Sequence, residues 1–185
     1  MKHGGCTGVF VGIESGNNEI LKSIKKTQTI DECIQAMKNL RNHGIESHAF
    51  IMVGFPKETE ETFKQTMDFI PKLRPDSVIF SIFTPYPGSD IYEECKKEGI
   101  IDGEFDLALY NHQSPVNCFT KNIPRERFYE LRNKAMKFVD NYNKKAKLRR
   151  VIGSLRNIGI KATWKKIYSH FYSKVVSYTN TQFKH

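Results

Sequence analysis

The stretch HAFIMVGFPKETEETF, residues 48–63, decides the fold. Residues 49–53 form an unbroken apolar run, too short for a helix and without the alternation of a half-wet strand. Such a run reads as a strand covered on both faces. Gly54 and Pro56 break it, and after Thr59 the apolar residues Phe63, Met67, Ile70 and Leu73 recur at helical spacing. A buried strand, a tight glycine turn and a covering helix follow one another. The turn lies at the carboxyl end of the strand, where barrels and open α/β sheets place their ligands.

The same pattern flanks this unit. Residues 8–13, GVFVGI, are a second short strand-like run, ending in the polar turn Glu14-Ser15-Gly16-Asn17. A short helix over roughly 18–26 puts Ile20, Leu21 and Ile24 on one face. Thr29 and Glu32 then fit a capping box, opening a helix that turns Cys33, Ile34, Met37 and Leu40 inward and stops at Gly44. Past the central unit, Pro71 and Pro75 are expected to end its helix. Residues 77–83, SVIFSIF, read as a third buried strand, and Ser89 caps a helix over 90–98 closed by Gly99.

This alternation predicts an α/β fold: three parallel strands, right-handed crossovers and covering helices, a partial (β/α) barrel. Residues 49–53, the most apolar strand and the middle one in sequence, are expected at the centre. Residues 8–13 are then expected at an edge left open. Residues 100–120 read as a long ordered loop. Pro124 starts a helix carrying Phe128, Leu131, Ala135, Phe138 and Tyr142 at helical spacing. After Lys144-Lys145 a basic joint is expected to lead to another helix, with Trp164, Ile167, Tyr168, Phe171, Tyr172 and Val175 in one stripe. Residues from about Ser177 are expected to fray. The division is a half-barrel over 1–122 and a basic, aromatic-rich helical extension over 123–185.

Composition narrows the classes of function. A chain of 185 residues that is 39% hydrophobic and 26% charged folds around a core and is not disordered. Its longest apolar runs are about five residues, which excludes a membrane-spanning helix. The first ten residues hold too short an apolar segment for a secretory signal, and they run almost directly into a strand. Cys6, Cys33, Cys95 and Cys118 lie far apart without a CxxC, as reduced cytosolic thiols do. The net charge of +9 is unevenly spread. Residues 1–120 hold 12 Lys+Arg against 17 Asp+Glu, and residues 121–185 hold 17 against 3.

Three strand ends gather glycines and polar groups on one rim, where a backbone without Cβ atoms lets a ligand approach. Glu14 there either accepts hydrogen bonds from a ribose diol or caps the following helix. Gly54 either admits a ligand or only permits the strand-to-helix turn. Both alternatives stay open on chemistry alone.

GVFVGIESG, HAFIMVGFPKETEETF and SIFTPYPGSDIYEECKKEG, three motifs in order over residues 2–122, closely resemble the second half of the radical S-adenosylmethionine barrel. The branch they resemble most often carries an N-terminal cobalamin-binding domain. The resemblance implies that Glu14 and Ser15 contact the ribose of S-adenosylmethionine. It implies further that Gly54, Phe55 and Pro56 lie against the adenine, and that Phe83 and Thr84 help close the pocket. The family's CxxxCxxC motif, which holds a [4Fe–4S] cluster, is absent from this sequence. The chain is therefore expected to be the C-terminal half of such an enzyme, without cluster ligands of its own and inactive alone. Its partner would be the cluster-bearing N-terminal half, its substrate a small or lipid-like molecule, and its setting cytoplasmic or peripheral to a membrane.

Another class of function rests on the basic tail. Its helices either pack an aromatic stripe on the barrel, or lie on an anionic membrane surface, or track nucleic acid, which ranks last. A complete flavodoxin-like open sheet is a further possibility, against which no phosphate-binding glycine loop follows the first strand.

Overall fold

The structure, a computed structural model, describes residues 1–101, 111, 114 and 116–182, without the side chains of 154 and 156–182. Strands β1 (Gly8–Glu14), β2 (Glu46–Val53) and β3 (Ser77–Ile82) form one sheet in the order β1-β2-β3, and both pairs are parallel. β2 is central and β1 takes an edge, as the apolar patterning predicts. Helices α1 (Asn18–Ser23) and α2 (Ile30–Asn42) link β1 to β2. Helix α3 (Glu60–Leu73) links β2 to β3, α4 (Asp90–Lys97) follows β3, and α5 (Arg125–Gln182) closes the chain.

Local chemistry sets most of these boundaries. Thr29 Oγ1 accepts from the Glu32 N–H at 3.3 Å while the Glu32 carboxylate accepts from the Thr29 N–H at 2.7 Å, the reciprocal box that starts α2. A cap of this kind stabilises a helix by about 1 kcal/mol. Gly44, at φ 62°, follows the end of α2 in the left-handed conformation. Pro71 does not end α3 as expected but lies inside it. So near the end it forfeits only the hydrogen bond to the Met67 carbonyl, and Arg74 in the left-handed region closes the helix.

Among the described residues the sheet is covered along one face, and on the other only near Met52, which packs on the cluster of Ile20, Phe55, Phe83 and Cys95. Ser47, Ala49, Ile51 and Val53 are buried, whereas Phe50 is 37% exposed between half-buried His48 and Met52. On the buried face Val53 and Ile82 pack with Phe63 of α3 and with Phe128 and Ala135 of α5. On the other, Phe10 stacks on His48 with ring centroids 4.7 Å apart and leans on Phe50 at 5.8 Å. Phe10 is 66% exposed, and no layer of described residues covers it. An unbroken apolar run marks a strand meant for two covered faces; here the described residues supply the second cover at Met52 but not at Phe10 and Phe50.

The two edges differ. Thr7 accepts from the Glu46 N–H, so by alternation Val9 and Val11 bond to β2 while Gly8, Phe10 and Gly12 turn their backbone groups outward. Gln28 covers the Gly12 carbonyl at 2.8 Å. The Phe10 N–H and carbonyl have no partner among the described residues. On β3 the outward residue Val78 is held at both groups by the Asn143 side-chain amide, at 2.8 and 2.9 Å.

The chain divides into two compact units, Met1–Asn143 and Lys144–His185. The first turns of α5 thus belong with the sheet, past the boundary expected at 122/123. The basic joint expected at Lys144-Lys145 coincides with the boundary between the two units, and helix α5 runs through it from Arg125. Its assignment as helix extends past Ser177 to Gln182. Most of the loop over 100–120, and the side chains of the aromatic stripe from Trp164, lie outside the described residues.

Candidate functional site at the strand ends

At the end of β1 the ladder register shifts between Gly12 and Glu14, and Glu14 adopts φ 66°. This left-handed turn costs a non-glycine residue about 1–2 kcal/mol. It folds the carboxylate back over Gly12: a Cβ on Gly12 would lie 2.6 Å from Glu14 Oε1 and 3.3 Å from Lys26 Nζ. Glu14 and Lys26 form an ion pair at 3.3 Å, with the Lys26 side chain 38% and the Glu14 side chain 17% exposed. The cap of α1 is Asn17, whose side chain accepts from the Ile20 N–H at 3.0 Å. The helix-cap alternative for Glu14 is thereby removed.

Ser15 turns the other way. It is fully buried, its hydroxyl bonds Thr66 Oγ1 of α3 at 3.1 Å, and it accepts from the Asn17 N–H at 3.2 Å. Gly16 shares that packing: an added Cβ would lie 2.8 Å from the Thr66 Cα and 2.6 Å from the Phe69 Cβ. These two residues seat α3 against the β1 turn, and the Ser15 hydroxyl has spent its hydrogen bonds inside the chain.

After β2, Gly54 has φ 92°, and a Cβ there would meet Phe128 at 2.9 Å. Glycine is required at this turn by backbone and by space alike. Phe55 is buried against Phe83, with ring centroids 5.1 Å apart, in a cluster with Ile20, Cys95, Ile101 and Phe119. Pro56 is half-buried at the start of the next turn. Thr84 is buried; its hydroxyl donates to the Ile82 carbonyl and accepts from Asn117 Nδ2 at 2.9 Å. Phe55, Phe83 and Thr84 therefore come together, whereas Ser15 faces α3 and Gly54 faces α5. A groove of about 500 Å³ between α3 and α5, lined by Met67, Leu131 and Phe138 among others, includes none of the seven predicted residues.

Glu58 is the residue that sequence reasoning misses. It is fully buried four residues after Gly54, and one carboxyl oxygen accepts the Gly54 N–H. The other, Oε1, has no hydrogen-bond partner among the described residues. Burial pushes this carboxyl up to about 8, against the lowering pull of the Gly54 and Phe55 amides. The signal was available: an acidic residue inside the apolar turn GFPKE, where a charge has no solvent.

The cysteines do not converge. Cys33 and Cys95 are buried on α2 and α4, and burial raises both thiols, Cys95 to about 11. Thiols of this kind are packing residues. Among the described residues no group of three His, Cys, Asp or Glu could hold a metal ion. The four cysteines are all described, and they do not fit a [4Fe–4S] cluster.

A parallel α/β layer with glycine turns, a carboxylate and a buried acid at its strand ends is the kind of layer on which barrel and open-sheet enzymes build ligand sites. Residues 1–70 match the model of the Radical SAM superfamily. An uncharacterized methyltransferase of Pyrococcus horikoshii is 41% identical over 93 residues, 50% of this chain and 20% of that protein. The bacteriochlorophyllide d C-12(1)-methyltransferase of Chlorobaculum tepidum is 36% identical over the same shares of the two chains. A tRNA-2-methylthio-N(6)-dimethylallyladenosine synthase of Buchnera aphidicola is 29% identical over 85% of this chain and 38% of its own length. The matched region thus spans a fifth to under two-fifths of these relatives.

Proposed function

We propose that residues 1–143 supply the ribose and adenine side of the S-adenosylmethionine pocket of a radical S-adenosylmethionine enzyme of the methyl- or methylthio-transfer class. Its [4Fe–4S] cluster is held by a CxxxCxxC-bearing segment outside this chain, in the same polypeptide or another. The observation that carries this reading is the unclosed β1 edge beside an uncovered apolar face. An edge strand of a parallel sheet with one bare face is a place where further strands add. The names of the relatives support the transfer class. Use of cobalamin on a further domain is supported by the motif resemblance alone, and the substrate is a small or lipid-like molecule.

Within the pocket the residues divide their work. Glu14, partly exposed at the strand end, accepts the ribose hydroxyls once it is released from Lys26 or while still paired with it. Gly54, Phe55 and Pro56 present the backbone of their turn to the adenine, with the Phe55 and Phe83 rings anchoring that turn in their own buried cluster and Thr84 at its border. Gly54, held by Glu58, fixes the turn that carries Phe55, and Ser15 seats the β1 turn on α3 without touching the cofactor. Cleavage of the cofactor belongs to the assembly with the cluster-bearing segment.

Anaerobic reconstitution with iron and sulfide tests this. The purified chain should give no stoichiometric [4Fe–4S] spectrum and no 5′-deoxyadenosine, and joining it to a CxxxCxxC-bearing segment should restore both. In that assembly Glu14→Ala should weaken S-adenosylmethionine binding by about 1–3 kcal/mol, with cluster content unchanged. A cluster and 5′-deoxyadenosine from the chain alone would overturn the proposal.

A further inference from the structure

We infer that the unit Lys144–His185 docks on an anionic membrane surface, through the helix turns over residues 144–155. This stands apart from the strand-end site and from the reading given to it. Residues 144–185 hold 11 Lys and Arg and no Asp or Glu. Three of these cations, Lys144, Lys145 and Lys147, stand exposed within four residues.

Charge alone would suit any polyanion. What selects lipid is the apolar component set among those cations. Leu148 is 59% exposed and Ile152 42% exposed, and they lie four residues apart on one helix face. Leu155, seven residues after Leu148, continues that face and is half-buried. Lys144 precedes Leu148 by one turn, and Lys145 precedes Ile152 by two. Both are exposed, so their aliphatic stems can lie along the apolar face while the ammonium groups reach outward. A helix of this composition lies in the headgroup region with its aliphatic face down and its cations on the lipid phosphates.

The same residues serve RNA poorly. Single-stranded nucleic acid is held by stacking on aromatic rings, and the aromatic residues of this unit begin at Trp164, beyond the cation-rich turns over 144–155. Exposed aliphatic side chains gain nothing from phosphate contacts. No helix among the described residues is long and apolar enough to cross a membrane. Attachment in the plane of the interface is the mode that remains.

The full 185-residue chain is sedimented with vesicles of phosphatidylcholine alone and of phosphatidylcholine with about 30% phosphatidylglycerol. Runs at about 0.1 M and about 0.5 M salt separate the electrostatic contribution. Binding to the anionic vesicles should exceed binding to the neutral ones by about tenfold or more at the lower salt. Reversing Lys144, Lys145 and Lys147 to Glu should weaken it by about a hundredfold. Leu148→Asp with Ile152→Asp should weaken it by about tenfold, because aliphatic area leaves the membrane. These positions are exposed, and an unchanged circular dichroism spectrum excludes misfolding as the cause. Three results overturn the inference: equal binding to neutral vesicles, full binding by the Leu148/Ile152 variant, or tighter binding of the chain to poly(U) than to the anionic vesicles.

Discussion

At β3 the outer edge is held from within the chain at two of its outward residues: the Asn143 amide takes both backbone groups of Val78, and the Thr84 hydroxyl donates to the Ile82 carbonyl at 3.3 Å. At β1 the corresponding outward groups of Phe10 meet nothing among the described residues, and the ring beside them is 66% exposed. Folded chains blunt the edges they intend to leave free. An amide placed on Val78 does what a neighbouring strand would do, and it ends the sheet. On the proposed reading, the lack of such a device at Phe10 among the described residues is what leaves β1 able to take a further strand.

The sharpest way to break this comparison is a proline at the open edge. Phe10→Pro removes an N–H that makes no bond inside the chain, so the isolated protein should melt within a few degrees of the wild type. In the assembly with the CxxxCxxC-bearing segment the same change should abolish 5′-deoxyadenosine formation, because the added strand loses its donor. Activity unaffected by this proline would mean that nothing pairs at β1.

A second test concerns the strand between the edges. Glu58 holds the turn after β2 with a carboxyl raised to about 8, against about 4.5 in the unfolded chain. The folded state therefore keeps a proton that the unfolded state releases. Stability should be greatest below about pH 4.5, fall by up to about 1.4 kcal/mol per pH unit as pH rises toward 8, and level off above it. Glu58→Gln should flatten that window in denaturant titrations at several pH values. The exposed carboxylates whose values are lowered by partners, Glu32, Glu60 and Asp90, act in the opposite direction and at lower pH. A wild-type profile flat from pH 5 to 8 would mean that Glu58 is not held in the buried, protonated form.

The smallest expected effect lies at the closed edge. Asn143→Leu removes both bonds to Val78 at once and should cost about 1–3 kcal/mol, read as a lower urea midpoint. It should leave cofactor cleavage by the assembly intact. Loss of cleavage with this variant would mean that the two edges are not distinct in function.

Much of the architecture is legible in the sequence because it depends on short-range rules. Apolar runs of up to about five residues, glycine turns and the Thr29–Glu32 box fix the order β1-β2-β3 and the start of α2 without reference to distant contacts. Pro71 misleads because the cost of a proline depends on how many helical turns follow it. The Lys144-Lys145 run reads as a joint because charge density interrupts the apolar period, although lysine itself favours helix. At the strand ends the sequence identifies which residues are near a ligand rim but not which way each side chain turns. Ser15 faces Thr66 because a bulge at Gly12–Glu14 rotates the chain, and no local signal announces a bulge. The roles of Glu58 and Asn143 depend on burial and on a contact across 65 residues, which periodicity does not encode.

The central claim is tested most directly by amide hydrogen exchange at Phe10 and Val78. In the chain alone the Phe10 N–H should exchange quickly while the Val78 N–H, held by Asn143, is protected. On joining the CxxxCxxC-bearing segment, Phe10 should become as protected as Val78, and Val78 should not change. A Phe10 amide already protected in the chain alone, or still unprotected in an assembly that cleaves S-adenosylmethionine, would contradict the account.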